Sequence, residues 1–139
     1  MMAKVWFWLA LCLLLVSHTT QAQVVIVVNP SAKASEIAKS ALADIFTGGS
    51  TSFKDGSHAV PVTLKGGVTH EDFLKTYVGK NDGAFRAAWR AAVFSGQGTM
   101  PRTFDSEAAL LDYVAATAGA IGYVSKDSDR SKVKTLDVR

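Results

Sequence analysis

Cysteine is nearly absent from this 139-residue chain, and the single one, Cys12, sits inside an N-terminal apolar block. Disulfide scaffolding, thiol nucleophiles and cysteine metal sites are thereby excluded from the rest of the chain. Histidine is scarce as well, with three in all, and no HExxH, CxxC, P-loop or Ser/His/Asp signature appears. An enzyme needs a nucleophile or a paired acid and base, and nothing singles one out, so a non-enzymatic protein without a cofactor is expected. Long apolar runs are missing after residue 28. Nor is there a strong charge of one sign: the net charge is +3, spread along the chain, without the clustered Lys/Arg face of a nucleic-acid binder.

What is present begins with a leader-like segment. "MMAKVWFWLALCLLLVSHTTQA" has one basic residue, Lys4, an apolar block from Val5 to Val16, and small residues, Thr20 and Ala22, at −3 and −1 of a cut after Ala22. The block falls short of the ~20 residues that span a bilayer, and its polar tail favours cleavage over a retained anchor. The expectation is a signal peptide over 1–22, a periplasmic domain over 23–139, and no membrane span after cleavage. The 117 remaining residues are enough for one domain without staples.

Val24–Val28, "VVIVV", reads as a strand covered on both faces, as in a parallel sheet. Asn29-Pro30 marks a turn. A helix with Ile37, Ala41, Leu42, Ile45 and Phe46 on one face is stopped by Gly48-Gly49. A hairpin-like excursion turns at Asp55-Gly56. A second strand follows at Val60–Leu64, with Pro61 suggesting an edge or first position. Next comes "TLKGGVTHEDF", in which Thr69 is expected to cap a helix with Asp72 three residues on, and Phe73, Leu74 and Tyr77 buried. Gly79 ends that helix. Another, from Asn81 or Asp82 to about Phe94, turns Phe85, Trp89 and Val93 inward. Arg86 and Arg90 line a different stripe, read as a solvated face. Asp105 or Ser106 caps a last helix carrying Leu110, Leu111, Val114 and Ala115, and "AIGYV" and "KVKTLDV" are strands. The order β-α-β-α-α-α-β-β predicts one α/β domain with a small, mostly parallel sheet.

Strand, glycine turn and helix start in "TLKGGVTHEDF" form the arrangement that cradles anions. The candidate anion-binding residues are Lys65, Gly66, Gly67, Thr69 and His70. Lys65 supplies charge, and Thr69 and His70 offer backbone N–H groups, with the Thr69 hydroxyl as a further donor. Ser31, at the carboxyl end of the first strand, and Arg102, beside a glycine-rich loop, are secondary candidates. His70-Glu71-Asp72 cannot converge on a metal, because adjacent helical residues point about 100° apart.

Five segments in this order, "VVIVVNPSA", "ALADIFTGG", the Phe53–Val62 excursion with its Asp-Gly turn and "VPV", "AWRAAVFSGQGTMP" and "ATAGAIGYV", resemble the PstS-like substrate-binding proteins of phosphate ABC transporters. The resemblance runs from Val24 to about Val124. It implies a single lobe of a periplasmic binding protein-like (type 2) fold, a small mixed sheet flanked by helices, with no counterpart of the first lobe. It also implies phosphate or a related oxyanion as ligand, in uptake or sensing. Where that family carries Arg and then Ser-Gly-Thr, this chain has Thr63 and Gly67-Val68-Thr69, so the arginine and the serine hydroxyl are lost. The resemblance therefore implies weak binding, unless a homodimer or a protein partner supplies the missing wall. Its alternative is a periplasmic interaction module that has lost its solute.

Overall fold

Residues 23–139 are described by a computed structural model, and the expected signal peptide lies outside the described residues. The β-branched run forms β1 (Val24–Val28), with four of its five residues buried. It lies between β5 (Ala120–Ser125) and β6 (Lys134–Val138) and is antiparallel to both. This corrects the parallel reading. Continuous apolarity reports cover on both faces, which β1 has, and is silent on the direction of its neighbours.

The six strands run in the order β2-β6-β1-β5-β3-β4, making a mixed sheet. β3 (Val60–Leu64) is parallel to β5 on one side and to β4 (Arg102–Phe104) on the other. It is thus not an edge strand. Pro61 is tolerated because the β4 ladder starts only at Val62, so no bond on that side is asked of its missing N–H. β2 is the pair Glu36–Ile37, parallel to the end of β6. Ile37, expected on a helix, is claimed by this strand, because the open edge at Asp137–Val138 offers it backbone bonds such as Arg139 N–H to the Ile37 carbonyl at 3.0 Å. α1 consequently starts later, at Lys39, and runs to Phe46.

Helices cover both faces. On one side lies α4 (Glu107–Ala116), whose Leu110 packs onto Gly122 so closely that a Cβ there would meet it at 2.8 Å. Buried Asn29 ties the end of this helix to β1, donating to the Val114 and Ala115 carbonyls at 2.9 and 3.1 Å. On the other side lie α1, α2 (Val68–Phe73), a π-helical turn (Leu74–Val78) and α3 (Asp82–Phe94). Their core is an aromatic stack: Phe73 lies flat on Tyr123 of β5, centroids 3.8 Å apart, with Phe46 edge-on to both. Trp89 donates its indole N–H to the Phe46 carbonyl at 2.8 Å, joining α3 to α1. The inward stripe of α3 is Phe85, Trp89 and Ala92, while Val93 is exposed. Seven residues nearly complete two turns, whereas eight overshoot by about 80°. The expected hairpin is present: Ser52 bridges His58, Phe53 bonds Ser57, and the turn has Gly56 at φ 88°.

Candidate functional site

β3 runs out at Leu64 onto an exposed turn, Lys65–Gly67. Gly67, at φ 95°, is the N-cap of α2, a conformation open to glycine and strained for other residues. The cap thus lies two residues before the expected one, and Thr69 sits inside the helix. Glycine has no side chain to cap with, and the first bonded amide is Glu71, donating to the Gly67 carbonyl at 3.0 Å. The N–H groups of Val68, Thr69 and His70 donate to none of the described residues. Three backbone donors therefore stand without a partner among the described residues just beyond the carboxyl end of β3.

The side chains around them are met by carboxylates. The Lys65 ammonium, exposed, lies 3.1 Å from Asp105. The Thr69 hydroxyl lies 3.4 Å from Glu107 Oε2. Glu107 opens α4, and its other oxygen accepts from the Ser125 amide and, at 2.9 Å, from the Ser128 hydroxyl. His70 points its ring into the core at 2% exposure, with Nε2 2.8 Å from Asp82 Oδ1 and Nδ1 against the Tyr123 hydroxyl. The Leu64 amide donates to the same hydroxyl at 3.0 Å. The phenol O–H is then left to donate to Nδ1, and the imidazole proton sits on Nε2, facing Asp82. Burial pushes the Tyr123 phenol above its ordinary range, keeping it a donor.

Asp82 shares its second oxygen with Arg86, whose Nε donates at 2.8 Å, and a terminal nitrogen of Arg86 donates to the Lys65 carbonyl at 2.9 Å. The Arg86 hydrogen bond, with the His70 bond adding to it, holds the Asp82 carboxyl below the usual carboxylate range. A depressed pKa contributes stability that is present above the unfolded value near 4 and lost as pH falls through the folded one. Asp82 is 43% exposed, so solvent screening limits the effect to about 1 kcal/mol or less. Thermal unfolding should show wild type more stable than Asp82→Asn at pH 6 and the gap closing below about pH 4. A gap that stays constant to pH 2.5 would contradict this assignment.

Between α3 and strands β3 and β4 lies a recess of about 20 Å³, lined by Thr63, Asp82, Arg86 and His70 together with apolar side chains of α3 and of the loop before β4. That is room for a single water-sized group. Thr63 is 2% exposed, and its hydroxyl bonds to none of the described residues.

Of the sequence candidates, Lys65, Gly66, Gly67, Thr69 and the His70 amide stand together at this turn. Ser31 lies elsewhere, and both its amide and its hydroxyl are held by Asn29 Oδ1 at 3.0 and 2.6 Å. Arg102 opens β4 and stacks 5.3 Å over the Tyr113 ring of α4, on the opposite face of the sheet from the recess. Arg90 is exposed on α3. Asp82, Tyr123, Glu107 and Thr63 were not among the candidates. Asp82 and Arg86 carried an i,i+4 signal; Tyr123 and Glu107, 53 and 38 residues from their partners, carried none. Among the described residues no group of three His, Cys, Asp or Glu could hold a metal ion, and no helix is long and apolar enough to cross a membrane.

This architecture is that of a single lobe of the periplasmic binding protein fold. A phosphate ABC transporter substrate-binding protein from Clostridium perfringens, with bound phosphate, superposes with a TM-score of 0.62 at 19% identity over 84% of this chain and 44% of its own. PstS from Borrelia burgdorferi gives 0.59 at 16% over 84% and 47%, and an ABC-type phosphate transport receptor from Vibrio cholerae 0.56 at 16% over 84% and 46%. The chain spans less than half the length of each of these three structures. No protein-family model matches the sequence, and no curated protein is similar to it. At such identities the likeness is one of fold.

Proposed function

We propose that the chain is an exported, solute-binding-type lobe that takes phosphate or a related small oxyanion weakly at the Lys65–His70 turn. The observation that carries the reading is the trio of amides at Val68, Thr69 and His70, unpaired among the described residues and placed where a parallel strand hands over to a helix. The fold, shared with phosphate-binding proteins, supports it. Weakness follows from two features. The turn is open to water, which lowers the worth of each bond. Asp105, Glu107 and Asp82 already engage the cationic and hydroxyl donors, and an incoming anion meets their charge.

A titration of the ¹⁵N-labelled chain with phosphate and sulfate at low salt tests this. The Val68, Thr69 and His70 amide signals should move together and saturate with a Kd of about 1 mM or weaker, an affinity of about 4 kcal/mol at most. Amides that stay still at several tens of millimolar of either anion would end the reading.

A second reading, an interaction module that has kept the lobe and lost the solute, is favoured by the exposed apolar side chains Phe94, at 96%, and Val68, at 75%. It requires silent amides in that titration, together with a stable periplasmic complex indifferent to phosphate and lost in Phe94→Ser.

A further inference from the structure

The Thr63–Arg86 recess joins a buried threonine to a fixed arginine, and it carries an inference that rests on the oxyanion reading. We propose that this recess seats one oxygen of the bound oxyanion and that Arg86, from α3, is the residue that neutralises it. The guanidinium is already fixed: Nε is held by Asp82 at 2.8 Å, and one terminal nitrogen by the Lys65 carbonyl at 2.9 Å. The remaining terminal nitrogen donates to none of the described residues. A cation held at two points loses little freedom when it binds a third partner. Thr63, at 2% exposure, lines the same space, and its hydroxyl bonds to none of the described residues.

The hydroxyl is reached through the recess: among the described residues no buried side-chain polar atom lacks a partner. Phe85, Trp89 and Pro101 form apolar wall around it. Such a wall strengthens a charge-assisted hydrogen bond formed inside. At about 20 Å³ the recess is too small for a whole phosphate or sulfate, and it fits one oxygen, the other oxygens remaining at the mouth. Lys65, by contrast, is 59% exposed and paired with Asp105, and its charge is largely spent in solvent. Asp82 is the competitor: its carboxylate shares the guanidinium and lines the same recess.

The test is the same phosphate titration, run on the full chain and on Arg86→Gln, Thr63→Val and Asp82→Asn, with the Arg86 side-chain Nε–H signal followed as well. Arg86 is about half exposed, and valine matches the shape of Thr63, so both variants should fold; amide spectra check this. Arg86→Gln should weaken phosphate about tenfold or more, and Thr63→Val about threefold or more. Asp82→Asn keeps an oxygen for His70 while removing the competing charge, and should tighten binding about threefold or more. If wild type binds and Arg86→Gln and Thr63→Val bind equally well, this inference is wrong and the amide turn stands alone. If wild type does not bind, the oxyanion reading itself has failed, and the recess assignment goes with it.

Discussion

Replacing Tyr123 with phenylalanine should destabilise the domain by about 2–4 kcal/mol while keeping its fold. The ring itself would stay, stacked flat on Phe73 and met edge-on by Phe46. What is removed is one oxygen that serves two buried partners: it accepts from the Leu64 amide and donates to His70 Nδ1. Each partner left unsatisfied away from water costs about 1–3 kcal/mol, whereas the new ring loses almost no apolar contact. Leu64 is the last residue of β3 and His70 lies in α2, so the phenol fastens the strand and helix on either side of the glycine turn. Urea unfolding is the measurement. The midpoint should fall with an unchanged slope, because the surface exposed on unfolding is the same. A loss below about 0.5 kcal/mol would mean that water or the other imidazole tautomer replaces the phenol at no cost. The turn amides should also exchange faster with solvent in the variant, since the strand end and helix start are no longer tied.

Gly119→Ala should cost about 3–5 kcal/mol, against about 1–2 for Gly56→Ala, though both glycines are left-handed, at φ 81° and 88°. The backbone strain is common to the two. The surroundings differ: a Cβ on Gly56 meets nothing within 4 Å, while one on Gly119 collides with the backbone carbonyl oxygen of His58. A flexible side chain would give way, but this oxygen belongs to the segment entering β3. The Val60 amide next to it donates to the Gly119 carbonyl at 2.9 Å, at the point where β3 joins β5. Relief therefore means loosening the start of a central strand pair. Parallel thermal unfolding of the two variants isolates the contact, since subtraction removes the shared strain. Equal losses would show that the two segments do not approach as described.

The local grammar of this chain was readable because it depends on neighbours along the sequence. β1, the Asp55-Gly56 hairpin, α3 and its Asn81 cap, and α4 with its Ser106 cap all follow from periodicity, glycine conformational freedom and capping within four residues. The departures at Ile37 and β1 share one cause, the neighbour each meets in space. Periodicity places Ile37 on a helix, and an edge strand takes it because β6 lies beside it in space. The direction of β1 depends on which strands return to it, and apolarity cannot encode that. Threonine caps well, which points to Thr69, yet Gly67 caps the helix and the Thr69 hydroxyl faces Glu107, 38 residues on.

The anion turn shows the division most clearly. The sequence by itself determined that a strand, two glycines and a helix start would follow one another, since turn and cap propensities are local energies. It also determined that Lys65, Thr69 and His70 would sit at that junction. Only the tertiary structure decided what those groups meet: Asp105 for the lysine, Glu107 for the threonine, and Asp82 and Tyr123 for the histidine. It alone brings Arg86 to Thr63 across the recess. Pairings of this kind are settled by the packing of α3 and α4 on opposite faces of one sheet, because charge and hydrogen bonding act over a few ångströms of space and take no account of distance along the chain.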